Sequence, residues 1–231
     1  MFNRGFFISL EGIAKTGKST QHALLHDYFD DNNIPFKLVF EPGATKLGNE
    51  IRTLVMNASN DILAYTELLL FSASRYENII KNIRPALATE HIVVADRFID
   101  STIAYQAFGK HVGVKPVEAI NRLTVGDIIP DLTFIFLLPP EGIEARLNEF
   151  SDKGRFHNFN VDTWLQIQRG YEYCIKNNPE RCIGFDVWDY DNETLKPAAY
   201  IHKQIIDTIE SNVKYQQTKA YKNFIKEKVI K

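Results

Sequence analysis

Hydrophobic positions along the chain switch repeatedly between short continuous runs and a helical spacing, and the switches divide it into alternating strands and helices. The run from Phe6 to Leu10 reads as a buried strand. From Thr20 to about Asn32, Leu24, Leu25, Tyr28 and Phe29 share one helical face. A second strand is predicted at Phe36–Phe40 and a helix at Leu47–Met56. Asp61 to about Ala88 reads as one long amphipathic helix, bent near Pro85. Ile92–Ala95 is a third strand, Val114–Val125 a helix, and Leu132–Leu138 a fourth strand stopped by Pro139-Pro140. Helices at 141–150 and 161–176 flank a polar link. Cys182–Trp188 is the fifth strand, followed by a helix from Leu195 to about Asn212. Alternation of this kind predicts an α/β doubly wound sheet of five parallel strands with helices on both faces, and ligands at the carboxyl ends of the strands.

Composition narrows this only a little. A chain of 231 residues suits one domain, here expected over 1–213 with a lid at about 142–160, and 214–231 forming a lysine-rich C-terminal helix or tail. The net charge of −2 gives no global field toward nucleic acid or a membrane surface, so neither is an expected partner. Cys174 and Cys182 have no metal-ligand spacing and read as cytosolic thiols. The first strand follows the N-terminus without space for a signal peptide, and no apolar run is long enough to cross a bilayer. A cytoplasmic location is expected.

The chemistry begins directly after the first strand. Gly12-Ile13-Ala14-Lys15-Thr16-Gly17-Lys18-Ser19 has the spacing of a phosphate-binding loop in the strand–loop–helix context such a loop needs, and Thr20 continues it into the helix. Glycines let backbone N–H groups face a polyphosphate, and the helix N-terminus adds partial positive charge. Lys18 is placed to reach the β- and γ-phosphates, and the Ser19 hydroxyl to hold Mg²⁺. A nucleotide such as ATP, with Mg²⁺, is the expected cofactor. Asp96-Arg97, at the end of the third strand, reads either as a cap of that strand or as a functional pair. In the second reading Arg97 grips an acceptor phosphate and Asp96 orients Arg97 or a magnesium-bound water.

Five segments in order resemble the thymidylate kinase family: Glu41-Pro42-Gly43-Ala44-Thr45 with Gly48, Ile51 and Arg52; Glu67 to Arg75; Asp96-Arg97-Phe98 through Gln106; Pro130-Asp131 with Pro139-Pro140-Glu141; and Arg169-Gly170-Tyr171. The resemblance implies a homodimeric kinase with dTMP as its small-molecule substrate. Pro42, Arg52, Phe71, Arg75, Arg97, Thr102, Tyr105 and Gln106 would then bind the acceptor. Arg52 and Arg97 would hold its phosphate, Phe71 would stack on the base unless it is plain core, and Arg75 would reach the base edge. Thr102 and Gln106, four apart on a presumed helix, would hydrogen-bond the base, with Tyr105 under the sugar. The expected dimer face is the long helix of residues 61–84, although a helix packed on the sheet would show the same pattern.

The chain departs from the family at the donor side. Ala14 replaces an acid, and Lys15 stands where many members have glycine or arginine. The lid keeps Arg146 and Arg155 but has Asn148 and Phe150 at commonly basic positions. Lys15, acting in cis, and Arg155, acting from the lid, are rival suppliers of catalytic charge. The expected activity is phosphorylation of dTMP to dTDP by ATP. Alternatives are a kinase for another deoxynucleoside monophosphate and a nucleotide-binding protein with little turnover.

Overall fold

A computed structural model describes residues 4–148 and 159–230. Its centre is a five-stranded, wholly parallel sheet in the order β2 (Phe36–Phe40), β3 (Ile92–Asp96), β1 (Phe7–Gly12), β4 (Leu132–Leu137), β5 (Cys182–Asp186). β1 lies in the middle, with Ile8 level with Val94 on one side and Leu132 on the other. Alternate side chains enter two separate cores. Ile8, Leu10, Ile92 and Val94 join the larger, while Phe7, Val93 and Ala95 join the smaller. Both faces are therefore covered, which is why these strands read as continuous apolar runs. The expected doubly wound α/β architecture is the observed one.

The connecting elements are α1 (Lys18–Asp31), α2 (Lys46–Met56), α3 (Ala64–Asn78), α4 (Arg84–Ala88), α5 (Ile99–Thr102), α6 (Val114–Val125), α7 (Pro140–Asn148), α8 (Val161–Asn177) and α9 (Ala198–Ser211). The single helix expected over 61–88 is instead α3, a wider π-helical turn at Ile79–Ile83, and α4. Pro85 explains the break, because it has no N–H for the carbonyl one turn back and its ring crowds that carbonyl. The strand expected to reach Trp188 stops at Asp186, whose carboxylate accepts the Trp188 N–H at 3.0 Å. Trp188–Asp189 (β6) then turns back on Thr194–Leu195 (β7), so the last helix of the domain starts only after Pro197.

Two features prepare the site. A second π-helical segment, Ile103–Gly109, follows α5, and α8 lies hard against it. Gly170 of α8 makes this approach possible, since a Cβ there would stand 2.5 Å from the Ala104 Cα. The lysine-rich tail forms α10 (Val213–Gln217) and α11 (Lys219–Ile230). Buried Tyr215 and Phe224 anchor it, with the Tyr215 ring edge-on to Phe6 at 5.5 Å.

Candidate active site

The loop between β1 and α1 lies at the carboxyl edge of the sheet. Gly12 (φ 133°) cannot carry a side chain, because a Cβ would meet the Phe136 carbonyl oxygen at 2.6 Å. Gly17 (φ 92°) makes the left-handed turn that opens α1. Within the loop, Thr16 Oγ1 donates to the Ile13 carbonyl at 3.0 Å and Lys18 Nζ to the same oxygen at 2.6 Å. Lys18 is buried, and that burial, reinforced by the Arg97 charge, lowers its pKa to about 7. Ser19 and Thr20 are exposed. Ala14 rests against the larger core, and Lys15 takes a left-handed backbone (φ 62°) with its carbonyl accepting from Arg146 Nε of α7 at 3.2 Å. Arg155 and most of the expected lid lie outside the described residues.

Beside the loop is a cavity of about 190 Å³. Pro42, Arg52, Phe71, Arg75, Arg97, Thr102, Tyr105 and Gln106 all line it. Thr102 ends α5 and Gln106 lies in the π-helical segment, so the helix presumed to carry them both is not a regular α-helix. The wider turn falls where α8 presses closest, and it leaves both residues on the cavity wall.

At one end of the cavity Arg97 has an unusual backbone (φ 73°) that swings its guanidinium back over the loop. Nη1 donates to the Gly12 carbonyl at 3.0 Å, to Ser101 Oγ at 3.1 Å and to Tyr171 Oη at 3.0 Å. Nη2 donates to Tyr105 Oη at 3.2 Å. Arg97 thus joins the loop to the cavity wall. Under it lies the fully buried Glu11, which accepts from the Phe98 N–H at 2.6 Å, Ser101 Oγ at 2.5 Å and Tyr171 Oη at 3.2 Å. Burial, helped by the nearby Asp100 charge, raises the Glu11 carboxyl to about 7. Arg52, also lining the cavity, donates to the Pro42 carbonyl at 3.0 Å.

Arg75, on the same cavity wall, has a more demanding role than its spacing from Phe71 suggests. It is 2 % exposed and donates to Glu41 Oε2 at 2.7 Å, Asn121 Oδ1 at 3.0 Å and the Phe98 carbonyl at 3.0 Å. It is therefore a strut as well as a wall. In the same cavity wall, the buried Thr102 Oγ1 has no hydrogen-bond partner among the described residues. That orphan hydroxyl marks a place where a polar ligand atom is wanted.

The matching family is the one described as Thymidylate kinase, whose profile fits residues 10–188. The chain belongs to the thymidylate kinase family. Among relatives, the thymidylate kinase of Chlorobaculum tepidum is 36 % identical over 215 residues, covering 88 % of this chain and 96 % of its own. That of Kosmotoga olearia is 34 % identical over 180 residues, covering 78 % and 86 %. A crystal structure of thymidylate kinase from Ehrlichia chaffeensis superposes with a TM-score of 0.71 at 30 % identity, covering 89 % of this chain and 98 % of that one. This fold is the P-loop NTPase type.

Several residues of this thymidylate kinase site were not singled out by sequence reasoning. Glu41, Glu67, Ser101 and Tyr171 stand inside the quoted segments and Glu11 between the first strand and the loop, yet none carries a spacing that assigns it a role. For Glu11 a signal existed: it is a lone carboxylate at the end of a buried apolar strand.

Proposed function

We propose that the chain transfers the γ-phosphoryl group of ATP to dTMP, giving ADP and dTDP. The observation carrying this reading is one cavity that meets the loop at Arg97 and carries Arg52, Arg75, Gln106 and the orphan Thr102 hydroxyl on its wall. A nucleoside monophosphate has that polarity: an anionic end for Arg52 and Arg97, and a base edge for the rest. Phe71 and Tyr105 offer aromatic walls to base and sugar.

In the reaction a dTMP phosphate oxygen forms the new bond to Pγ while the Pγ–O bond to ADP breaks and leaves its electrons on the ADP oxygen. The nucleophile is already an anion, so the protein's task is to place it and to offset charge. Lys18 protonates fully against the β- and γ-phosphates, and Arg97 holds the acceptor against the same loop. Lys15 adds cationic charge from within the loop. Ser19 and Asp96 would hold Mg²⁺: a hydroxyl and a carboxylate are the oxygen ligands it takes, and Asp96 Oδ1 is buried without a hydrogen-bond partner among the described residues. Bound there, the ion would neutralise phosphate charge.

We further propose that a second copy covers α3. Tyr65, Leu69 and Tyr76 of α3 and Ile80 of the π-helical turn after it are exposed, 53, 56, 52 and 45 % accessible. Sedimentation should give a dimer that Leu69→Asp converts to monomer. The function is tested by coupled ADP release over a panel of monophosphates. dTMP should show the highest kcat/KM; a larger value for dCMP, dGMP or UMP refutes the assignment, and tight nucleotide binding without ADP release refutes the enzyme.

A further inference from the structure

We propose that Glu67 is a positioning residue that sets the base preference of the acceptor cavity by fixing the amide of Gln106. The proposal rests on the reading of this cavity as the dTMP site.

Gln106 Nε2 donates to Glu67 Oε1 at 2.8 Å, and the two side chains are 3 and 4 % exposed. They come from different elements, the π-helical segment after α5 and the first turn of α3. Glu67 Oε1 is the acceptor in this bond, so the NH₂ end of the Gln106 amide faces it. The flipped amide would set two oxygens against each other in a dry site. Glu67 therefore turns Gln106 Oε1 away from itself, and both residues line the cavity with Arg75 and Thr102.

Arg75 gives the opposite polarity. A guanidinium has five N–H groups and no acceptor. Arg75 commits one each to Glu41, Asn121 and the Phe98 carbonyl, which leaves two. The base end thus presents an obligate donor, Arg75, and a fixed acceptor, Gln106 Oε1. Thymine offers the complement, an O4 that accepts and an N3–H that donates. Cytosine inverts both, with an N4 amine that donates and an N3 that accepts. Without Glu67 the Gln106 amide is free to turn its NH₂ toward cytosine N3, and half of the discrimination is lost.

The test compares dTMP and dCMP as acceptors in steady-state kinetics. Glu67→Gln keeps the shape but meets either face of the Gln106 amide. It should raise KM for dTMP roughly tenfold, the fold-change of about one hydrogen bond, with kcat nearly unchanged. The dTMP over dCMP ratio of kcat/KM should fall by a similar factor. In a Gln106→Ala background the same substitution should leave that ratio where Gln106→Ala put it, because Glu67 acts through Gln106. Pairing Glu67→Gln with Gln106→Glu restores a fixed acceptor and should recover the ratio. Should Glu67→Gln fail to fold, Glu67→Asp carries the same ratio test, since its shortened side chain withdraws the acceptor. An unchanged ratio in the Glu67 variant, while Gln106→Ala lowers it, overturns the proposal. Equal, additive losses in both backgrounds overturn it as well. If Gln106→Ala itself leaves KM and ratio untouched, the base-site reading is what fails.

Discussion

Binding of MgATP should draw a proton from solution, and Lys18 is where it goes. In the ligand-free site the Lys18 pKa is lowered to about 7 by burial and by Arg97. At pH 8 such a group is only about one-tenth protonated. Phosphates lodged against it return the pKa toward its ordinary value, so the bound state holds the full charge. The uptake is then about 0.9 proton at pH 8 and about 0.5 at pH 7. The sign follows from the order of the two pKa values: the bound state carries more protons between them, so affinity rises as pH falls. Above pH 7 each further unit should weaken binding about tenfold, or about 1.4 kcal/mol. Isothermal titration in buffers of different ionisation enthalpy measures the uptake directly, as the slope of observed heat against buffer heat. Glu11, at about 7, lies close enough to Lys18 to contribute to that slope. Lys18→Arg separates the two, because arginine stays charged and should abolish the lysine share. An uptake below about 0.2 proton at pH 8 in the wild type, or the same slope in Lys18→Arg, refutes the reasoning.

Three further outcomes are expected. Arg75→Ala should lower unfolding stability by about 3–5 kcal/mol, since it strands the buried Glu41 carboxylate, 5 % exposed, without its guanidinium partner; an unchanged denaturant midpoint would contradict this. Asp96→Asn should raise the free Mg²⁺ needed for half-maximal turnover at least tenfold or so, and a magnesium titration matching the wild type would remove Asp96 from the metal site. The Glu11 pKa, raised from 4.5 to about 7, means that the folded state binds the extra proton. Stability tied to Glu11 is full below 4.5 and lost as pH rises through 7, by about 3 kcal/mol; Glu11→Gln should flatten that slope, and parallel pH curves for both proteins would sink the idea.

What the sequence made legible was whatever is written in neighbouring residues. The β1, β3 and β4 strands are buried on both faces, so their apolar runs identify them directly. The phosphate-binding loop is eight consecutive residues, and its flanks name the strand and the helix. The breaks were harder to see because tertiary contacts set them. Pro85 marks a bend, but its site is displaced to Ile79–Ile83, and the Asp186 carboxylate that ends β5 acts through a turn. The polar network was not legible at all. Arg97 meets Tyr171 across 74 residues and Ser101 meets Glu11 across 90, and no spacing rule spans such separations. For Arg75, helical spacing places it one turn from Phe71 but is silent on Glu41, Asn121 and the Phe98 carbonyl, the partners that determine how it is held.

The contact of Gly170 with the Ala104 backbone makes α8 a lever whose fulcrum is a missing side chain. On one arm of that lever Trp164 sets its ring edge against Tyr105 at 6.3 Å, and on the other Tyr171 hydrogen-bonds Arg97. A glycine inside a helix sacrifices about 1 kcal/mol relative to alanine. Here that loss lets one rigid rod touch Tyr105 and Arg97 together. Gly170→Ala, a gain by helix propensity alone, would tilt the rod and unsettle both ends at once. A helix-stabilising substitution at this position is therefore opposed by how tightly two elements mesh.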